Sequence, residues 1–344
     1  MSLDITGHYR YPSPRPDWLS KASEEILDPD LPIVDPHHHL WTQDGNRYLL
    51  DEFADDLGSG HRIEATVFVQ AHYGYRDRGP EELKAVGETE KVAAIATEAG
   101  QRGIPTAIAA GIVGFADLML GDRVEDVIRA HVAAGEGRFR GVRHSVSRDT
   151  NFPQGIVLRP APAGMLGDSA YRAGMARVAA LGLSYDCMLY HQQIPELVRA
   201  ARAVPELPIV LDHLGCLIGV GPYRGREAET LATWRRDIAE LATCPNVSVK
   251  IGGLGMIICG PTWHERDNPP SSEELAEAWR PMIETAIGLF GVDRCMFESN
   301  FPVDKAMYSY AVLWNAFKRL AAGASDDEKG SLFHDTAKRF YRLG

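Results

Sequence analysis

Eight short apolar segments recur along the chain, and helix-like segments separate them. Several of the apolar segments are continuous rather than alternating, which is typical of parallel strands covered on both faces. The polar spacers between them are rich in Ala, Glu, Arg and Leu. The predicted strands are 31–35, 62–71, 104–113, 139–146, 183–190, 207–213, 247–252 and 295–300. The predicted helices are 80–102, 123–135, 169–181, 194–203, 227–242, 272–289, 306–321 and 325–341.

This alternation predicts an α/β fold, a (β/α)8 TIM barrel, because eight strand–helix units in roughly 300 residues suit a closed barrel. The alternative is an open, doubly wound sheet with a glycine-rich phosphate turn after the first strand. Here the first strand runs into histidines instead, which favours the barrel. We expect a single barrel domain over residues 31–344. Residues 1–30 are polar and proline-bearing, and we expect a short N-terminal arm with a helical patch near 17–27.

The amino-acid composition indicates which kinds of binding partner are not expected. The chain of 344 residues is 45% hydrophobic and 24% charged, which indicates ordinary globular material. Its net charge of −11 argues against nucleic-acid binding. The five cysteines are widely spaced and form no CxxC pair, so a cysteine zinc site is not expected. Neither a signal peptide nor a membrane span is evident, so a cytoplasmic protein without a membrane partner is predicted. A homodimer packed through the arm is a further hypothesis.

Catalytic groups of such barrels lie at the carboxyl ends of the strands, and histidines cluster there in this sequence. The first predicted strand ends in His37-His38-His39. Side chains alternate along a strand, so His37 and His39 should share one face while His38 points the other way. Two imidazoles so placed can share a metal ion or a substrate. His213 follows the sixth strand in the same manner.

Other polar residues at the same end are candidates for binding a small-molecule substrate. Glu298 and Asn300 are two apart and should both point into the barrel. A buried carboxylate is costly unless paired, so Glu298 is either catalytic or balanced by Lys250 or Arg143. Two long loops, 253–271 and 150–168, could form a lid. The candidate substrate-binding residues are Gln70, His72, Arg143, His144, Tyr190, His191 and Trp263.

Several of these motifs together resemble the amidohydrolase superfamily. Ile33-Val34-Asp35-Pro36-His37-His38-His39-Leu40-Trp41 is similar to its first-strand HxH motif. The resemblance is closer to the amidohydrolase-2 branch of TIM-barrel hydrolases, which includes sugar-acid lactonases. It continues through Asp212-His213-Leu214-Gly215 and Lys250-Ile251-Gly252-Gly253. It implies that His37 and His39 form the HxH pair, that His213 is the sixth-strand histidine, and that His191 lies near the fifth-strand position.

The eighth strand departs from the family pattern. The family usually carries an Asp before an aromatic–Pro pair, where this sequence has Asn300 before Phe301-Pro302. An amide cannot take a proton from water, so Asn300 can only orient or donate hydrogen bonds. Glu298 or Asp304 would then supply the base. The resemblance implies one divalent metal ion such as Zn²⁺, held by His37, His39 and His213, or a site that works without metal.

The function predicted from these features is hydrolysis of a lactone, or a related ester, of a small polar or sugar acid. The substrate is expected to be anionic or polyhydroxylated, bound by Arg143 and His144. A nonoxidative decarboxylase of an unsaturated or aromatic acid is the alternative within the superfamily. A barrel that binds a small molecule without catalysis is the third hypothesis, kept open by Asn300.

Overall fold

The apolar segments form parallel strands. The structure is a computed structural model that describes residues 12–43, 46–151 and 160–344. Val and Ile recur in the strands, because β-branched side chains pack well on a pleated surface. Within the described residues the strands in chain order are β1 Pro32–His38, β2 Trp41–Gln43, β3 Asn46–Tyr48, β4 Arg62–Val69, β5 Ala107–Gly114, β6 Phe139–Arg143, β7 Ser184–Cys187, β8 Ile209–Leu211, β9 Val247–Ile251 and β10 Cys295–Phe297.

Eight of these strands build the barrel. Their order is β1-β4-β5-β6-β7-β8-β9-β10, and each neighbouring pair is parallel. The chain after β10 returns to β1 through a parallel bridge between His38 and Phe301. There Asn300 N donates to His37 O at 2.9 Å and His39 N donates to Phe301 O at 2.7 Å. The predicted (β/α)8 barrel is therefore confirmed, and its seam lies beside the first-strand histidines.

Helices cover the outside of the barrel. The predicted start of the helix near residue 272 is confirmed: Ser271 Oγ accepts from Glu274 N, and Glu274 reaches back to Ser271 N in a capping box. The helices are α1 Pro16–Leu19, α2 Leu50–Leu57, α3 Val86–Gln101, α4 Val124–Ala134, α5 Ser169–Ala180, α6 Ile194–Ala203, α7 Glu227–Ala242, α8 Ser272–Phe290, α9 Tyr310–Leu320, α10 Asp326–Gly330 and α11 Thr336–Phe340.

Some predicted boundaries were wrong. The strand predicted over 207–213 ends at Leu211, because His213 and Leu214 adopt positive φ angles of 54° and 56°. The helix predicted over 325–341 is interrupted by a π-helical turn, Ser331–Asp335. Between the first two barrel strands, where no element was predicted, the described residues form the β2–β3 pair and α2. The helix predicted near 17–27 is shorter in the structure, where only α1, Pro16–Leu19, is helical.

The described part of the N-terminal arm packs on the helix and loop layer. Trp18 Nε1 donates to Arg266 O at 2.9 Å, and Leu27 N donates to Asn315 Oδ1 at 3.0 Å. Residues 1–11 lie outside the described part, and so do residues 152–159 of the second candidate lid loop. The division into arm and barrel, and the homodimer, stay predictions.

Apolar and polar layers divide the barrel interior. The segment after α11 contributes Tyr341 and Leu343 to a buried cluster with side chains from five barrel strands. The strand members of this cluster are Val34, Val67, Val69, Val113, Val210 and Met296. Polar side chains occupy the opposite end of the strands. No helix of the described residues is long and apolar enough to cross a bilayer.

Candidate active site

The histidines that follow β1 divide between the two faces of the strand. The rings of His37 and His39 lie together, with centroids 4.9 Å apart at nearly a right angle. His38 points into the helix layer, where it stacks on Phe53 at 4.2 Å and lies 3.0 Å from Thr66 Oγ1. The predicted alternation is confirmed. His37 and His39 are therefore available to one site, whereas His38 has a packing role.

Glu298 joins the first and sixth strands by binding two imidazoles. Its Oε2 lies 2.8 Å from His37 Nδ1, and its Oε1 lies 2.7 Å from His213 Nδ1. All three side chains are buried. Burial favours the neutral acid, but His213 and His37 outweigh it and hold the pKa of Glu298 at about 2. The carboxylate thus accepts a hydrogen bond from Nδ1 of His213, whereas its contact with Nδ1 of His37 is an ion-pair distance, since Oε2 has no hydrogen-bond partner within the described residues.

The surroundings shift the pKa values of the two rings in opposite directions. Burial and the Lys250 ammonium lower the pKa of His37, so its neutral form is favoured. Burial also acts against the charged form of His213, but Glu298 outweighs it and raises the pKa of His213. The neutral form of His37 carries one lone pair on its ring, while the cationic form of His213 presents an N–H at Nε2.

Lys250 and Arg143 balance the acidic groups around His37. Lys250 Nζ lies 2.6 Å from Asp186 Oδ2, 3.3 Å from Asp212 Oδ1 and 3.1 Å from His37 Nδ1. An ammonium can only donate, so Lys250 Nζ is the donor in its hydrogen bond with His37 Nδ1. Arg143 Nη1 lies 3.4 Å from His37 Nε2 and 3.7 Å from Asp212 Oδ2. Three buried carboxylates thus meet Lys250, Arg143 and His213.

Two consecutive glycines after β9 make room for this cluster. A Cβ on Gly253, whose φ is +65°, would lie 2.4 Å from His213 Nδ1. A Cβ on Gly252 would lie 2.4 Å from Glu298 Cγ. Real Cβ atoms do not approach other heavy atoms so closely, and neither neighbour is the free end of a flexible side chain. The Gly252-Gly253 pair is therefore required for the His213–Glu298 contact.

Asn300 and Asp304 hold each other at the end of β10. Asn300 Nδ2 donates to Asp304 Oδ1 at 3.0 Å. Asp304 Oδ2 accepts from Tyr308 OH at 2.6 Å and from Gly255 N at 3.0 Å. Burial raises the pKa of Asp304 to about 6, and His213 is among the charges that oppose the rise. Oδ1 has a single protein donor in these contacts and keeps a lone pair for a further one.

Gln70 and Arg143 adjoin the histidines. Arg143 Nη2 donates to the main-chain oxygen of Gln70, which connects β6 with the end of β4. The side-chain Oε1 of Gln70 is buried and has no hydrogen-bond partner within the described residues. An unsatisfied buried oxygen requires an explanation, and a bound hydroxyl group would satisfy it. Both residues stay candidates for substrate binding.

Three other predicted binding residues, His144, His72 and His191, make contacts outside the His37–Glu298–His213 cluster. His144 packs against Tyr171 of α5, and its Nδ1 accepts from Leu118 N at 3.2 Å. His72 lies 2.9 Å from the hydroxyl of Tyr75 through its Nδ1. His191 Nδ1 accepts from Ile218 N at 3.3 Å. Their contacts with substrate stay predictions.

Tyr190 and Trp263 are parts of apolar clusters. Tyr190 packs with Cys216, Ile218 and Met256. Trp263 packs against Tyr308 and Trp279, with ring centroids 6.1 and 6.0 Å away, beside a cavity of about 210 Å³. Trp263 is thus linked through Tyr308 to Asp304. Roles for Tyr190 and Trp263 in binding substrate also stay predictions.

One group of side chains in the described residues is suited to a metal ion. Ligand atoms of His37, Asp212 and His213 all lie within 4.8 Å of one another. Neither oxygen of Asp212 has a hydrogen-bond partner within the described residues, although Lys250 lies 3.3 Å away. Imidazole and carboxylate donors of this kind fit Zn²⁺. The group includes Asp212, which the sequence did not nominate, and leaves out His39, whose Nδ1 lies 2.7 Å from Val69 O.

A model of the amidohydrolase family matches residues 34–343. The chain belongs to the amidohydrolase-2 family. The resemblance noted in the sequence is confirmed, and so is the prediction of a hydrolase. The expectation of a barrel with its site at the carboxyl ends of the strands is consistent with this membership.

Individual relatives of this amidohydrolase cover almost the whole chain. Protein y4mH of Sinorhizobium fredii is 33% identical over 337 residues, which are 91% of this chain and 99% of that protein. An L-fucono-1,5-lactonase of Burkholderia ambifaria is 26% identical over 327 residues, 90% of this chain and 95% of the lactonase. A zinc-bound amidohydrolase structure from Burkholderia multivorans is 23% identical, with a TM-score of 0.68 over 91% of this chain and 99% of that one.

Sequence reasoning missed two buried members of the site and named a third only as a counter-charge. Asp186, Asp212 and Lys250 are all fully buried. Lys250 was proposed to balance Glu298, whereas Asp186 and Asp212 were assigned no role. The available signal was an ionisable residue inside an apolar strand, because such a residue must find a partner. Asp186 lies in β7 and Lys250 in β9, while Asp212 directly follows β8.

Proposed function

We propose that this amidohydrolase hydrolyses a lactone of a small polar or sugar acid. The observation that carries the proposal is Glu298 between His37 and His213, with its oxygens 2.8 and 2.7 Å from their Nδ1 atoms, because it holds two imidazoles side by side at the strand ends. The likeness to an L-fucono-1,5-lactonase supports a sugar-acid lactone as substrate. Lactones need little activation, since the ring ester is already reactive.

Asp304 is the proposed general base. Both oxygens of Glu298 are engaged with histidines, and its pKa of about 2 makes it a weak acceptor of protons. The pKa of Asp304, raised to about 6 by burial, is closer to the value that suits a base at neutral pH. Asn300 then keeps a function in place of the usual aspartate: its amide holds Oδ1 of Asp304 in position.

His213 and Arg143 are proposed to stabilise the negative charge that forms on the carbonyl oxygen. Both are cationic donors in a buried setting, where such hydrogen bonds contribute most. Gln70 Oε1 is proposed to accept from a substrate hydroxyl. His37, Asp212 and the neutral form of His213 would hold a Zn²⁺ ion, which would polarise the same carbonyl in place of the His213 donor.

The test is a panel of sugar-acid 1,4- and 1,5-lactones, including L-fucono-1,5-lactone. Acid release is measured with a pH indicator and corrected for spontaneous hydrolysis, before and after chelation and zinc addition. Asp304→Asn is expected to lower kcat by about 100- to 10,000-fold. His334→Asn is the control, because His334 pairs with Glu64 and Asp335 away from the site.

The outcomes separate the alternatives. Undiminished hydrolysis by Asp304→Asn would exclude Asp304 as the base. Carbon dioxide release from unsaturated or aromatic acids, without acid release from any lactone, would replace the proposal with a decarboxylase. Loss of turnover on chelation with recovery on zinc addition would support the metal, whereas turnover that survives chelation would support a site without one.

A further inference from the structure

A buried tyrosine reaches the site from the opposite end of the barrel. Tyr341 follows α11, and its ring packs in the apolar cluster with Val34 and Val210. Its hydroxyl donates to Asp186 Oδ2 at 2.6 Å. Tyr341 and Asp186 are both inaccessible to solvent. A segment far from the strand ends thereby gains a polar contact in the barrel interior.

Asp186 connects Tyr341 with Lys250. Lys250 Nζ donates to the same oxygen, Asp186 Oδ2, at 2.6 Å. The ammonium also lies 5.3 Å from the centroid of the Tyr341 ring, within the range of a cation–π interaction. From this position Lys250 Nζ lies 3.1 Å from His37 Nδ1 and 3.3 Å from Asp212 Oδ1. Tyr341 is therefore separated from His37 by two side chains.

The second oxygen of Asp186 explains why the tyrosine hydroxyl matters. Asp186 Oδ1 is buried and has no hydrogen-bond partner within the described residues. Two donors at Oδ2 and none at Oδ1 fix the rotation of the carboxylate. Without the Tyr341 hydroxyl, the carboxylate can turn Oδ1 towards Lys250. The flexible ammonium would then move relative to His37 and Asp212.

We propose that Tyr341 is a positioning residue of this active site, which acts through Asp186 and Lys250 to place the ammonium beside His37 and Asp212. The inference rests on the proposed function only for the substrate used in the assay.

The chain supplies a matched control. Tyr48 OH donates to Asp56 Oδ2 at 2.6 Å, and Lys305 Nζ donates to the same oxygen at 2.6 Å. Lys305 Nζ lies 5.1 Å from the centroid of the Tyr48 ring. This second set repeats the local chemistry of the first, but its aspartate belongs to α2 rather than to a barrel strand. Removing the Tyr48 hydroxyl therefore controls for the loss of a tyrosine–aspartate hydrogen bond.

The experiment compares Tyr341→Phe with Tyr48→Phe in the full-length protein. Both changes keep the aromatic ring and remove one hydroxyl. We expect Tyr341→Phe to lower kcat about tenfold with KM unchanged, because His37 and Asp212 lose a fixed neighbour while substrate contacts remain. Tyr48→Phe is expected to leave both constants unchanged. The melting temperature should fall in both variants, and more in Tyr341→Phe, because its hydrogen bond is the more deeply buried one.

A second measurement requires no turnover. Histidine labelled with ¹⁵N in the ring is incorporated, and the His37 signals are assigned by their loss in His37→Asn. Tyr341→Phe should shift the His37 Nδ1 resonance, and Tyr48→Phe should leave it in place. If the wild type hydrolyses no lactone, the proposed function fails, and this resonance alone decides the inference. An unshifted His37 signal, or equal losses of kcat in both variants, would overturn the role of Tyr341.

Discussion

The inner triad Tyr341–Asp186–Lys250 and the outer triad Tyr48–Asp56–Lys305 have the same internal geometry. In each, a tyrosine hydroxyl and a lysine ammonium both lie 2.6 Å from one aspartate oxygen. Their surroundings differ. Lys250 and Asp186 are fully buried, whereas Lys305 and Asp56 keep 18% and 13% of their side-chain surface exposed. Lys250 also contacts His37 and Asp212.

The difference shows that geometry alone does not determine what a charged group contributes. Water near the outer triad screens its charges and can solvate a partner left alone. The inner triad is inaccessible to solvent, so removing one partner leaves a buried charge that neither water nor another group compensates. Its neighbours are also the groups of the proposed site, so a disturbance in the inner triad should alter chemistry as well as stability.

The largest expected difference between the triads follows removal of the lysine charge. Lys250→Met should cost about 3–5 kcal/mol of unfolding free energy, because Asp186 and Asp212 lose a buried cation. Lys305→Met should cost about 1 kcal/mol or less. Urea titration followed by circular dichroism measures both values. Equal losses would show that burial does not distinguish the two triads.

Neutralising the aspartates should separate the triads by activity. Asp186→Asn is expected to lower kcat for the hydrolysed lactone about 100-fold, since Lys250 loses its anchor beside His37. Asp56→Asn should change kcat by less than about twofold. Steady-state kinetics on both variants provides the check. A large loss in Asp56→Asn would contradict the assignment of the outer triad to structure alone.

Double-mutant cycles should give a smaller but more direct measure of each tyrosine–aspartate contact. We expect a coupling energy of about 2 kcal/mol between Tyr341→Phe and Asp186→Asn, and about 1 kcal/mol between Tyr48→Phe and Asp56→Asn. The values come from the unfolding free energies of the single and double variants. A coupling at Tyr341 no larger than that at Tyr48 would argue against the low-dielectric setting of the inner triad.

Salt should produce the smallest difference. Raising NaCl from about 0.05 M to about 0.5 M should reduce the cost of Lys305→Met by about 0.3 kcal/mol, because ions screen a partly exposed pair. The cost of Lys250→Met should not change, since its partners are inaccessible to ions. Repeating the urea titrations at both salt concentrations tests this, and a salt-sensitive Lys250 would indicate water around it.

The sequence predicted the barrel and one face of the site well. Continuous apolar strands specify a covered parallel sheet, and strand alternation placed His37 and His39 together. It also required Glu298 to be paired, because a lone buried carboxylate is too costly. The nominated partners were Lys250 and Arg143, whereas the closest contacts of Glu298 are His37 and His213.

The remaining contacts could not be predicted because they join distant parts of the chain. Asp186 is 64 residues from Lys250 and 155 from Tyr341. Several acidic and basic residues follow the strands, and local patterns do not show which of them meet across the barrel. The left-handed turn at His213 was missed for a related reason. Gly253, which follows β9, leaves space for the His213 ring in this turn.

The sequence separation between Asp186 and Tyr341 also sets an order of events during synthesis. At about 5–20 residues per second, the ribosome adds the intervening 155 residues in about 8–30 seconds. Throughout that interval the Asp186 carboxylate lacks the Tyr341 hydroxyl. The end of the barrel opposite the site also lacks Tyr341 and Leu343, which bury its apolar side chains. The inner triad is therefore completed late, and the apolar cluster around Tyr341 is the part of the barrel that stays exposed longest during synthesis.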